Sequence, residues 1–316
     1  MRFRPDPFIV MIVAVALTGS FLPARGGALD GFQVAAKAAI ALLFFVYGAR
    51  LSTAEAVAGL RRWKLHLAIV LTTFAVFPLL GWAAQVLRPD VLSPGLYTGV
   101  LLLCLVPSTV QSSVAFTSIA GGNVAGAVVS ASLSNMLGVF VTPALVALMM
   151  SAGAQVDAGS VLRIVMLLLA PFVAGQLSRP LIGRWVSSHD RRLRVFDRTS
   201  ILFVVYVAFS EGANAHVWQS LDARSLVVLV CVCAALLAAA IGVTIGLGRL
   251  LRMPRADRLP LLFCGCNKSL ASGLPMASVL FAGGDVALVI LPLMLYHQFQ
   301  LIVCSWLAGR LGRAAA

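Results

Sequence analysis

Apolar runs of roughly twenty residues, separated by short polar clusters, occupy almost the whole chain. That spacing matches a helix crossing the hydrocarbon core of a bilayer, about 30 Å at 1.5 Å per residue. It predicts an all-α polytopic membrane protein of about ten transmembrane helices, near 7–23, 32–50, 64–87, 95–119, 123–150, 160–182, 199–215, 225–248, 259–282 and 286–309. Composition agrees: 60% of the residues are hydrophobic and 11% charged, against about a quarter charged in a soluble domain. So much apolar side chain cannot be hidden in one water-soluble core, and lipid must be its solvent.

The net charge of +13 raises the question of nucleic acid, and the positions of the charges answer it. Eighteen of the 24 Lys and Arg fall on one side of the predicted topology and four on the other. The rest, Lys37 and Lys268, lie within spans. Excess basic residues mark the cytoplasmic side, so both termini are expected inside, in an inner membrane. The basic residues are juxtamembrane with no soluble domain to present them, which speaks against a nucleic-acid partner. Met1–Gly26 looks like a secretory signal. Removing it would put every later basic loop on the wrong side, so it is read as the first helix.

All six cysteines fall in apolar spans, which argues against an extracellular disulfide framework. Cys231 and Cys233, like Cys264 and Cys266, are two apart and point away from each other on a helix, unlike a metal-binding pair.

The longest polar link, 183–198, separates five spans (1–182) from five (199–316). With an odd number of helices in each half, the second enters the membrane from the opposite side, as an inverted repeat. Ala120-Gly121-Gly122-Asn123-Val124-Ala125 recurs as Ala282-Gly283-Gly284-Asp285-Val286-Ala287, an offset of 162 residues that also pairs Asn135 with His297.

Two spans carry polar and helix-breaking residues at mid-membrane depth. Span four reads Pro107-Ser108-Thr109-Val110-Gln111-Ser112-Ser113, and its proline frees a carbonyl that lipid cannot satisfy. Span nine reads Gly265-Cys266-Asn267-Lys268-Ser269, followed by Gly273 and Pro275. Interrupted helices at matching places in inverted halves point to a transporter's midplane site, where half-helix N-termini favour anions and unwound carbonyls favour cations. A lysine at the bilayer centre costs at least about 3 kcal/mol on insertion scales, so Lys268 is expected to line a polar cavity. Ser132 and Asn135 share a face of span five, and His297 lies at the equivalent depth of span ten. Each is a wall of that cavity or an interhelical hydrogen bond. Glu211 is read as an interfacial acid that could pair with Lys37 or Lys268, and Lys37 as a residue that snorkels outward.

The stretches Val106–Ala115, Ser134–Pro143 and Phe263–Met276 resemble the sodium/bile acid symporter superfamily, specifically its SBF-like branch, and the likeness extends over nearly the whole chain. The resemblance implies a panel domain and a core domain, with unwound helices four and nine crossing beside the ion and substrate sites. It also implies sodium-coupled uptake of an organic anion by alternating access. In the family, the crossing on span nine carries an acid shared by two sodium ions, then a glutamine and an asparagine. Aligned on Gly265, these positions hold Phe263, Asn267 and Lys268, so the shared carboxylate is missing. The ammonium could replace one sodium, or proton coupling could take its place. The family's other ligands map onto Ser112, Ser113, Ser132 and Asn135, a candidate sodium set.

These readings converge on a secondary transporter, not an enzyme, in a lipid bilayer. Its cavity for a bile-acid-like or small carboxylate anion would be formed by Gln111, Ser112, Ser113, Ser132, Asn135, Asn267, Lys268, Ser269 and His297. No cofactor beyond sodium is expected. The competing reading is a membrane regulator or scaffold that kept the fold and lost its ion site.

Overall fold

A computed structural model describes residues 7–50, 62–87, 92–150, 158–281 and 286–313. Among the described residues the regular structure is all helical: α1 (Pro7–Phe21), α2 (Gly27–Arg50), α3 (Trp63–Leu87), α4 (Pro94–Leu105), α5 (Gln111–Ile119), α6 (Val124–Met150), α7 (Ala158–Ser188), α8 (Asp190–Asn214), α9 (Ala223–Leu250), α10 (Arg255–Cys266), α11 (Leu270–Leu280) and α12 (Val286–Arg313). Among them α2, α3, α6, α9 and α12 are long and apolar enough to cross a membrane, and α4 is a shorter apolar helix. Leu177, Leu181, Val227 and Trp306 point outward, as expected of side chains solvated by lipid tails.

Two differences from the predicted spans have local causes. The stretch 183–198 is helical on both sides of a bend at His189, whose ring stacks on Trp185 at 4.6 Å. It is held by ion pairs: Arg50 at the end of α2 bonds Asp197 at 2.5 Å and lies 3.5 Å from Asp190, which also pairs with Arg194. Spans four and nine are each two helices, α4–α5 and α10–α11, broken at 106–110 and 267–269. Gly265, Gly273 and Pro275, read as helix breakers, lie inside α10 and α11. Gly265 serves packing, since a Cβ there would come within 2.6 Å of the Thr244 methyl.

The chain forms two compact units that interleave in sequence. The first takes Met1–Leu51, Val156–Asp222 and Leu274–Ile290; the second takes Ser52–Gln155, Ala223–Gly273 and Leu291–Ala316. In the first unit α2 packs along α7, and α1 along α8. Gly48 and Gly175 make the first of these contacts possible, because a Cβ on Gly48 would strike the carbonyl of Phe172, and one on Gly175 the carbonyl of Phe45. Backbone cannot yield as a side-chain tip can, so Gly175→Leu is expected to lose more than the roughly 1–3 kcal/mol of ordinary overpacking. Gly246, which has open space around it, is the control: Gly246→Leu should leave the thermal midpoint in detergent near wild type.

In the second unit the α5–α6 turn is fixed from within. Gly121 adopts φ +73°, which glycine takes without strain. Asn123 accepts from the Gly126 amide at 3.0 Å, and its amide reaches Asp257 at 2.8 Å. Arg62 also clasps Asp257, at 2.5 and 2.6 Å. The sequence match to this turn, Ala282–Ala287, falls mostly outside the described residues.

Candidate functional site

The two helix breaks of the second unit leave a set of backbone carbonyls without intrahelical donors, and in a membrane interior every one needs a partner. From the α4–α5 break, Leu105 O accepts from Thr142 at 2.8 Å, Pro107 O from the Ser269 amide at 2.8 Å, and Ser108 O from Asn135 at 2.7 Å. On the α10–α11 side, Phe263 O accepts from Ser113 at 3.0 Å, Cys264 O from Ser108 at 2.6 Å, and Cys266 O from Tyr296 at 2.7 Å. Lys268 O accepts from Gln300 at 2.9 Å, while the other end of the Gln300 amide accepts from the Lys268 N–H at 2.7 Å. Residues of each break thus satisfy the other, and Tyr296 and Gln300 of α12 complete the second.

Lys268 serves three further carbonyls. Its Nζ donates to Cys104 O at 3.0 Å, Val106 O at 2.9 Å and Thr73 O at 3.1 Å. Three acceptors match the three donors of an ammonium. The Phe77 ring, its centroid 4.0 Å from Nζ, covers the cation. Thr73 O is free for a local reason. A π-helical turn, Thr72–Val76, shifts the Phe77 amide onto Thr72 O, and the next residue, Pro78, has no N–H. Such π-turns recur at functional sites. Lys268 is 0% exposed. Where the sequence suggested the wall of a polar cavity, its Nζ is enclosed by protein and bonded to backbone carbonyls.

Ser113, Asn135, Asn267, Lys268, Ser269 and His297 come together here. Asn267 donates to the Ser113 hydroxyl at 3.1 Å, and His297 Nδ1 lies 3.3 Å from Lys268 O. Ser269 caps α11, its hydroxyl accepting from the Ser272 amide at 3.1 Å. Asn135 bridges the breaks: it donates to Ser108 O and accepts from the Ser272 hydroxyl at 2.7 Å. Gln111 is exposed at the start of α5, and Ser132 is half-buried one turn before Asn135. Ser112 Oγ is buried without a hydrogen-bond partner, and no side chain caps the N-terminus of α5. Thr73, Phe77, Thr142 and Gln300 were missed in the sequence, and Ser108 stood out only as part of the polar run after Pro107. Gln300 could have been found, since it stands three residues from His297 on the same helix face.

The model of the SBF-like CPA transporter family matches residues 6–313. Among curated proteins, the chain is 47% identical over 309 residues to one named "Putative symporter YfeH" from Escherichia coli (strain K12), covering 98% of this chain and 93% of the relative. It is 45% identical over 316 residues to "Uncharacterized protein PA2026" from Pseudomonas aeruginosa, covering 99% and 94%. It is also 29% identical over 326 residues to "Sodium/bile acid cotransporter 7" from Rattus norvegicus, covering 98% and 95%.

Proposed function

Because the chain belongs to the SBF-like CPA transporter family, we propose that it is a secondary transporter carrying a small organic anion by alternating access, with Lys268 standing where a coupling cation would otherwise sit. The observation that carries this reading is the cage of Thr73, Cys104 and Val106 carbonyls around the Lys268 ammonium. Carbonyls freed at a helix break favour a cation, and here the protein supplies one from its own chain. In this reading the second unit is the core domain, the inverted halves are the source of the paired breaks, and the basic loops face the cytoplasm.

The anion is assigned to the start of α5. Its first amides have no side-chain cap, its dipole favours negative charge, and the Ser112 hydroxyl and exposed Gln111 stand there with polar groups to spare. A bile-acid-like molecule and a small carboxylate both satisfy this chemistry. Phe263, buried where the family places its shared acid, contributes no ligand.

A sodium at Ser112, Ser113, Ser132 and Asn135 fits less well. Ser113 already donates to Phe263 O and accepts from Asn267, and Asn135 is engaged at both ends. The unpartnered Ser112 oxygen is the one feature favouring it, so sodium coupling at this set is the second reading, ranked below an ion-independent or proton-coupled cycle.

The test is uptake of labelled bile acids and short carboxylates into proteoliposomes under sodium or choline. Uptake that is undiminished in choline is the expected result. Uptake that needs sodium and is lost in Ser112→Ala would establish the second reading. No uptake of any anion in either salt would leave a membrane scaffold as the better account.

A further inference from the structure

Within the first unit, α2, α8 and Ser278 line a half-open cavity of about 180 Å³, with Gln33, Lys37, Glu211 and Ser278 as polar groups and Ile40, Val204 and Val207 on its apolar wall. It shares no residue with the carbonyl cage of the second unit. Its floor is apolar, and its chemistry is concentrated in one cation and one acid. Glu211 Oε1 accepts from Gln33 Nε2 at 2.6 Å. No further hydrogen bond to its carboxylate is found among the described residues. Lys37 lines the same pocket, makes no hydrogen bond or direct ion pair with any described residue, and has an exposed side chain.

Opposite charges lining one pocket of a membrane-spanning unit are each costly alone, and a contact pair would relieve that cost. Here Gln33 holds Glu211 on one side and Lys37 stays open. The cavity therefore offers an anion-binding ammonium and a donor-binding carboxylate across an apolar wall, with room for a solute about the size of six waters.

We infer that this cavity is a second ligand site, sharing no residue with the one proposed at the start of α5, which binds a small amphipathic carboxylate that also bears an amino or hydroxyl group. Its carboxylate meets Lys37, its donor group meets Glu211, and its methylenes lie on Ile40, Val204 and Val207. Ser278, whose hydroxyl donates to Leu274 O at 3.1 Å, retains acceptor capacity for the same donor group.

The inference does not depend on transport, and its test needs none. The full chain in detergent is titrated with ω-amino acids from glycine to 6-aminohexanoate and, as controls, hexanoate and hexylammonium. Binding is read as the concentration dependence of the thermal midpoint. One chain length is expected to bind best, and more tightly than either control. Lys37→Met and Glu211→Gln should each weaken that binding about tenfold or more, as expected for losing a charge-assisted hydrogen bond. Glu211→Gln should leave hexanoate binding intact. The exchanged variant Lys37→Glu/Glu211→Lys should recover binding with the solute reversed, which separates recognition from damage to the fold. Equal affinity in wild type and both single variants, no saturable shift with any ω-amino acid, or hexanoate binding as well as its amino derivative would each overturn the site. A transporting protein with no such binding would refute this inference and leave the transport proposal standing; binding in a protein that moves no anion would do the reverse.

Discussion

Lys268→Ala is expected to destabilise the protein by about 3–5 kcal/mol in potassium or choline and to make it respond to sodium, which the wild type should not. Removing the ammonium leaves Thr73 O, Cys104 O and Val106 O facing an empty space beneath the Phe77 ring. An unsatisfied buried polar group costs about 1–3 kcal/mol, and water entering the space offsets part of that. Three carbonyls around a vacated cation position form an oxygen-lined site suited to a hard cation. Sodium should then raise the thermal midpoint of the alanine variant by mass action. Lys268→Met fills the space with an uncharged chain, so it should be destabilised and should not respond to sodium. The measurement is the thermal midpoint of purified wild type and both variants against sodium concentration at constant ionic strength. A sodium shift of the same size in wild type and Lys268→Ala would show that any sodium site lies elsewhere and that the lysine holds no cation place.

The parts of this site that were legible in the sequence are those announced by a broken local rule. Pro107 with its run of hydroxyls, and Lys268 in an otherwise apolar span, mark the breaks of α4–α5 and α10–α11 because proline and charge are costly within a lipid-embedded helix. Asn135 and His297 were legible from depth and face. The partners of Lys268 were not, because two are backbone oxygens of Cys104 and Val106, and any residue carries a carbonyl. The third depends on a π-turn whose sequence trace is a single proline, Pro78. The burial of Lys268 could not be read either: a lysine in a span signals an unmet need for polar contact, and water in a cavity and carbonyls in a cage meet that need equally well. The helical character of 183–198 was hidden for a related reason, since its density of charge resembles a loop until Asp190 and Asp197 are seen to bind Arg50.

Asn135 provides the sharpest distinction between a residue that binds an ion and one that holds the crossing together. It donates to Ser108 O at 2.7 Å and to Ala131 O at 3.0 Å, and accepts from the Ser272 hydroxyl at 2.7 Å, so a single amide spans both broken helices. Asn135→Leu removes the donor and the acceptor and strands Ser108 O and the Ser272 hydroxyl, for an expected loss of about 2–4 kcal/mol. Asn135→Asp keeps the size and the acceptor but turns a carboxylate oxygen toward Ser108 O, setting two acceptors against each other in a low-dielectric site. If Asn135 is a positioning residue, the aspartate should be about as damaging as the leucine, and raised sodium should not rescue it. If it is a sodium ligand, the added charge should tighten sodium binding, and sodium should restore the thermal midpoint. The hydrogen bonds favour the first result. A second comparison keeps the two apart should both variants fold poorly: Ser272→Ala removes the donor to Asn135 Oδ1 while leaving all four residues of the candidate sodium set in place. It should reduce stability in the same direction as Asn135→Leu, by about 1 kcal/mol, whereas a ligand role for Asn135 predicts almost no change, because the carbonyl oxygen freed by the missing serine would be better placed to bind the ion.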